Sequence, residues 1–138
     1  MPIREEAAMT EIYNSRFRPE IQDAQRAAEY EATGSDYGAN GYLTMRQADE
    51  LLTHLQLQPD DVVLDIGSGT GWPGLYLANR SGCRVVVSDL TVAGMVQARR
   101  RATDDGMHAR TSSVVASGRH LPFRPDSFDA IVHADVLC

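Results

Sequence analysis

Hydrophobic positions change their spacing near residue 58, and the change divides the chain into two parts. Up to that point apolar residues are sparse and fall as they do on helices. Residues 1 to about 33 are charged and alanine-rich, with helix-compatible stretches on either side of Pro19, whose ring interrupts the run. Residues 34–42 are rich in turn formers and carry Tyr37 and Tyr42, so they read as a loop. Thr44 and Gln47 then have capping-box spacing ahead of a helix to about Leu57, with Leu51, Leu52 and Leu55 on its apolar side. After Pro59-Asp60-Asp61 the pattern becomes one of short, continuous apolar runs. Residues 62–66, 84–88, 111–116 and 128–132 are predicted strands. Between them lie a helix through Arg80, stopped at Ser81-Gly82, and a helix capped by Thr91 and stopped at Gly106.

Strands alternating with helices imply a parallel sheet with right-handed crossovers. The expected fold is α/β: a doubly wound, Rossmann-like, three-layer arrangement with strand order 3-2-1-4 and N-terminal helices in front. Residues 1–58 form a helical segment or lid, and residues 59–138 a cofactor-binding core. In such a sheet ligands bind outside the carboxyl ends of the strands, where the order reverses. The stretch from Val62 to Gly71, Val-Val-Leu-Asp-Ile-Gly-Ser-Gly-Thr-Gly, ends there.

The spacing of its glycines decides which ligand is meant. Gly67, Gly69 and Gly71 read G-x-G-x-G, and Trp72 stands where a dinucleotide fingerprint wants its third glycine. No Gly-Lys-Ser/Thr follows, so the loop is not of the Walker type either. Asp89 lies 22 residues after Gly67, near the offset at which a carboxylate meets both ribose hydroxyls; the rival reading is a helix cap. Leu90 would then offer an apolar face to a base. Asp65 interrupts an otherwise apolar strand and needs nearby donors, which loop N–H groups can supply.

The run Leu-Asp-Ile-Gly-Ser-Gly-Thr-Gly closely resembles the first motif of the class I S-adenosylmethionine-dependent methyltransferases. A second stretch, Ser117-Gly118-Arg119-His120-Leu121-Pro122-Phe123 followed by Ser127-Phe128-Asp129, is similar to that family's Asp-Ala-x-x-Leu-Pro-Phe and Ser-Phe-Asp pattern. The resemblance covers roughly residues 60 to 135. It implies S-adenosyl-L-methionine as cofactor, held by Asp65, Gly67, Ser68, Gly69, Gly71, Asp89, Leu90, Ser117, Gly118 and His133. Ser117 stands where the family has the Asp that reaches the adenine amino group, and Gly118 where it has alanine. It implies that Asp65 orients the loop or touches the methionine end. His133 and Asp135 end the fourth strand beside the crevice, as simple strand-end residues or in contact with cofactor or acceptor. Tyr37 and Tyr42 are lid residues near the sulfonium or, alternatively, core anchors.

The resemblance implies methyl transfer to a small-molecule acceptor. In-line positioning can supply most of the rate, so no catalytic residue is assigned. A nicotinamide-dependent oxidoreductase and a non-catalytic cofactor-binding or assembly module are the alternatives. A net charge of −6 argues against a general affinity for nucleic acid or anionic membrane. Arg99, Arg100 and Arg101 read as a solvated helix face. The four histidines and two cysteines show no metal-type spacing, and the cysteines suit the cytoplasm. No apolar run is long enough to span a bilayer. The resembled fold has seven strands and this chain carries four. Strand four is thus expected to be an exposed edge through which the protein self-associates, the chain being the N-terminal part of a longer protein or completed by a partner.

Overall fold

The computed structural model describes residues 4–39 and 41–136; Asn40, Leu137 and Cys138, included in the sequence reading, lie outside the described residues. Three helices come first: α1 (Arg4–Arg16), α2 (Pro19–Thr33) and α3 (Met45–Leu55). The core then runs β1 (Val62–Ile66), α4 (Gly74–Ser81), β2 (Arg84–Asp89), α5 (Val92–Asp104), a short 3-10 turn (His108–Arg110), β3 (Thr111–Val115) and β4 (Ala130–Val132). The sheet order is β3-β2-β1-β4, and all three pairings are parallel. This is the expected order.

Local chemistry explains most boundaries. Thr44 accepts from the Gln47 N–H while the Gln47 side chain accepts from the Thr44 N–H, a complete capping box that starts α3. The helix ends at Leu55, two residues before the expected stop, because Gln56 takes a left-handed conformation. Gly82, also left-handed, ends α4 and returns its N–H to the Ala78 carbonyl. β4 begins at Ala130 instead of Phe128. The Phe128 ring leaves the strand line to meet Phe123 edge to face, their centroids 5.1 Å apart. Asp129 closes the strand start, its carboxylate accepting from the Val62 N–H at 2.8 Å.

Register partners in a parallel pair point to one side of the sheet, so Val63 and Val85, and Asp65 and Val87, share a face. Helices α4 and α5 lie on that face, as right-handed crossovers running in one direction require. Val63, Val85, Val87, Leu75, Leu77, Ala98 and Ala102 make the core between them. Each fully buried Leu or Val there is worth roughly 1.5–3 kcal/mol. The opposite face carries Leu64, Val86 and Ile131. Leu64 is buried, whereas Ile131, on the edge strand β4, is 56% exposed.

Candidate functional site

The glycine loop takes its shape from bonds to the second strand. Ser68 is buried, and its N–H donates to the Ser88 carbonyl at 3.0 Å. The Ser68 carbonyl in turn accepts from the Gly71 and Trp72 N–H groups. Gly67, Gly69 and Gly71 all have positive φ, at 68, 57 and 100°. A side chain at Gly69 would be strained in that conformation and would meet the Phe17 ring and the Ala39 carbonyl oxygen at 3.3 Å. The loop turns back into α4 at Gly74. There is no room for a Cβ at Gly74: it would lie 2.6 Å from Asp65 Oδ2.

Two carboxylates hold this loop from beneath and beside. Asp65 is fully buried, and its Oδ2 accepts from the Gly74 N–H at 2.7 Å. Its Oδ1 has no hydrogen-bond partner among the described residues. Burial pushes its pKa well above the ordinary carboxylate range; the Gly74 N–H opposes that rise and the Asp89 charge adds to it. Asp89 ends β2 itself. Its Oδ2 accepts from the Gly69 N–H at 2.8 Å, and its Oδ1 accepts from the N–H and hydroxyl of Thr91 at 2.9 and 2.7 Å. Asp89 therefore joins the glycine loop to the start of α5. Thr91 occupies the N-cap position, but its hydroxyl makes no cap bond and donates to Asp89 instead.

The N-terminal third lies over the loop. The Thr70 hydroxyl donates to the Tyr37 carbonyl at 2.8 Å, and the Trp72 indole N–H donates to the Leu43 carbonyl at 3.1 Å. Tyr37 is a buried anchor whose ring lies 5.0 Å from that of Trp72. Tyr42 is 86% exposed. Arg101 stacks over the Tyr37 ring at 3.6 Å and pairs with Asp36 at 2.8 Å. Unlike the exposed Arg99 and Arg100, it is no part of a solvated face: it latches the 34–39 segment to α5. Burial raises the Tyr37 hydroxyl to about 12, against the lowering effect of Arg101. On the far side Asp135, at φ 58°, accepts from the Tyr42 N–H at 2.7 Å.

The remaining expected residues follow the carboxyl ends of β2, β3 and β4. Leu90 is half-buried after β2, and Gly118 lies against Ile66. Ser117 Oγ accepts from the Arg119 N–H at 3.2 Å and donates to Glu6 of α1 at 2.7 Å. His133 is exposed and borders an apolar cavity of about 320 Å³ walled by Leu43, Leu51, Leu55 and Val132. Glu6, Phe17 and Thr70 were not among the expected site residues. Thr70 had a signal, standing inside the glycine motif; α1 has no apolar stripe to announce its contacts. A turn of positive-φ glycines, bonded through the Gly69 N–H to a carboxylate at the end of the next strand, fits the close approach of a nucleoside.

The comparisons agree with this geometry. The family described as Methyltransferase domain matches residues 63–138. Methyltransferase GfsG of Streptomyces halstedii is 34% identical over 86 residues, 62% of this chain and 31% of that protein. The demethylmenaquinone methyltransferase of Corynebacterium urealyticum is 31% identical over 122 residues, 85% of this chain and 49% of its own length. The chain thus spans half or less of these curated relatives. Among solved structures, a geranyl diphosphate methyltransferase complex with GPP and sinefungin superposes with a TM-score of 0.72 at 23% identity, covering 93% of this chain and 54% of that one. An S-adenosylhomocysteine complex of a methyltransferase from Geobacter sulfurreducens gives 0.63 at 21% identity, covering 86% and 44%.

Proposed function

The chain belongs to the methyltransferase-domain family, and on that premise we propose that it binds S-adenosylmethionine over the glycine loop and passes its methyl group to a small-molecule acceptor. The observation that carries the reading is the junction at Asp89, where one carboxylate holds both the Gly69 N–H and the start of α5. A vicinal diol arriving there meets a fixed, charged acceptor, which gives a ribose its place. Gly67 and Gly69 let the ligand approach the backbone closely, and Asp65 keeps the loop in register from below. The bound cofactor supplies an electrophilic methyl on a sulfonium. The protein's part is to align the acceptor and exclude water, which the segment carrying Tyr37 and Tyr42 does as a lid.

Titration calorimetry with S-adenosylhomocysteine tests the reading. Asp89→Ala is expected to weaken binding by about 10- to 100-fold, the value of one or two charge-assisted hydrogen bonds, while Arg100→Ala leaves it unchanged. No binding to the folded wild-type chain, or equal effects of the two substitutions, would remove the assignment. Limited proteolysis of the same samples reads the lid: residues 34–43 should become more resistant when ligand is added.

The same reading puts the protein in the cytoplasm, where the buried free thiol of Cys83 stays reduced. No described helix is long and apolar enough to cross a membrane. It also expects self-association along the exposed β4 edge. Light scattering that shows only monomer at high concentration would dispose of that surface.

A further inference from the structure

The glycine loop is covered by the chain itself, and the cover over Gly67 comes from the turn after β4. A Cβ added to Gly67 would lie 2.5 and 3.1 Å from the two methyl groups of Val136, so that side chain rests on the bare Cα of the glycine. Asp135, just before it, is left-handed at φ 58°, a conformation unfavourable for a residue with a Cβ. Two hydrogen bonds offset that cost: Asp135 Oδ2 accepts from the Tyr42 N–H at 2.7 Å and from the Leu43 N–H at 3.3 Å. A Cβ on Gly41 would come within 2.7 Å of the same oxygen, so a glycine there leaves the carboxylate its place. Asp135 thus pins the turn to the N-terminal segment, and Val136 is the part held down on the loop.

The two ends of the N-terminal segment are held differently. Tyr37 is buried, with Arg101 stacked on its ring and its carbonyl bonded to Thr70. Around the exposed Tyr42 the holds are hydrogen bonds, to Asp135 and, through the Leu43 carbonyl, from the Trp72 indole. Exposed bonds open more readily than buried packing, so the Tyr42 end is the one that lets go. We infer that the turn after β4 is a gate on the glycine loop, latched shut by Asp135 on the N-terminal segment, and that ligand reaches Gly67 when the latch opens. The inference rests on the S-adenosylmethionine reading, in which the ligand approaches the Gly67 backbone; Val136 and the ligand then compete for one surface. A return of Asp135 to ordinary φ redirects the chain at its neighbour and takes Val136 off Gly67. With the latch closed most of the time, the rate of entry follows the open fraction, and whatever loosens the latch speeds entry. Were Val136 a fixed wall of the site, shortening it would speed exit instead.

Two measurements on the 138-residue chain test it. Chymotrypsin cutting after Tyr42 reads the latch without ligand, and surface plasmon resonance with S-adenosylhomocysteine reads the gate. Gly41→Ala drives a Cβ at the Asp135 carboxylate and leaves the Val136 contact alone; Val136→Ala removes the cover and leaves both partners of the latch in place. Both positions lie outside the helices and strands, so the fold is kept. Each substitution is expected to raise the cleavage rate at Tyr42, and the association rate of S-adenosylhomocysteine, by about 3- to 10-fold, the net weight of one hydrogen bond. The cross effects carry the coupling: faster entry when only the latch is disturbed, and faster cleavage at Tyr42 when only the cover is shortened. An association rate at or below wild type in either variant overturns the gate, as does cleavage at Tyr42 that Val136→Ala leaves unchanged. If the folded wild-type chain shows no association at all, the S-adenosylmethionine reading falls and the gate with it, while the cleavage rates still report whether Asp135 joins the two segments.

Discussion

Gly94→Ala is expected to destabilise the protein by about 1–3 kcal/mol and to weaken S-adenosylhomocysteine binding at the same time. In an ordinary helix the change would work the other way, because alanine is favoured over glycine by roughly 0.5–1 kcal/mol. Here the new Cβ would lie 2.5 Å from the Gly69 carbonyl oxygen and 2.6 Å from the Thr91 hydroxyl. The first of these is backbone and cannot swing aside. To relieve the contact, α5 must retreat from the loop, which pulls on the Asp89 bridge between Gly69 and Thr91. Overpacking outweighs propensity. Urea unfolding gives the stability and calorimetry the affinity; a variant as stable as wild type would show that α5 does not abut the loop.

Asp65→Asn should change how stability depends on pH. The folded chain holds the Asp65 proton more tightly than the unfolded chain, whose carboxyl titrates near 3.9, because burial disfavours the charge. Between those two values the native state binds more protons, so the stability that Asp65 contributes is fully present below about pH 4 and is lost as pH rises through the native pKa. Each tenfold difference in proton affinity is worth about 1.4 kcal/mol. Asparagine can still accept from the Gly74 N–H but carries no charge to bury. Its amide N–H₂, placed where Oδ1 now lacks a partner, costs roughly 1–3 kcal/mol at every pH. The variant is therefore expected to be the less stable protein at pH 4 and to gain on wild type as pH rises from there toward the native pKa of Asp65. Parallel unfolding midpoints across that range would refute the linkage.

Much of the core was legible because its signals are local. An apolar β-branched run ending in alternating glycines can hardly be anything but a buried strand and a close-approach turn, and β1 is one. The capping box at Thr44 and the glycine stop at Gly82 were equally self-contained. What escaped depends on partners far along the chain. Arg101 is one of three adjacent arginines, and apart from Asp105 four residues on, the partners that distinguish it are Tyr37 and Asp36, more than 60 residues earlier. Glu6 and Ser117 are 111 positions apart, and nothing in the alanine-rich pattern of α1 hints that one of its polar residues is bonded to the rim. Asp89 shows the limit from the other side. Its position at the end of a strand was readable, but not that it would bind the loop and the helix start at once.

Trp72 is the only tryptophan in the chain, and it stands at the joint between the N-terminal segment and the glycine loop. Its indole N–H reaches Leu43, and its ring lies between those of Tyr37 and Tyr76 at 5.0 and 5.5 Å. The protein therefore carries its own fluorophore at the seam that matters. Selectively excited emission comes from this single place, and the two tyrosines are near enough to pass it their excitation. Undocking of the N-terminal segment would wet the indole and shift its emission to the red, with no label introduced and no other tryptophan to obscure the change.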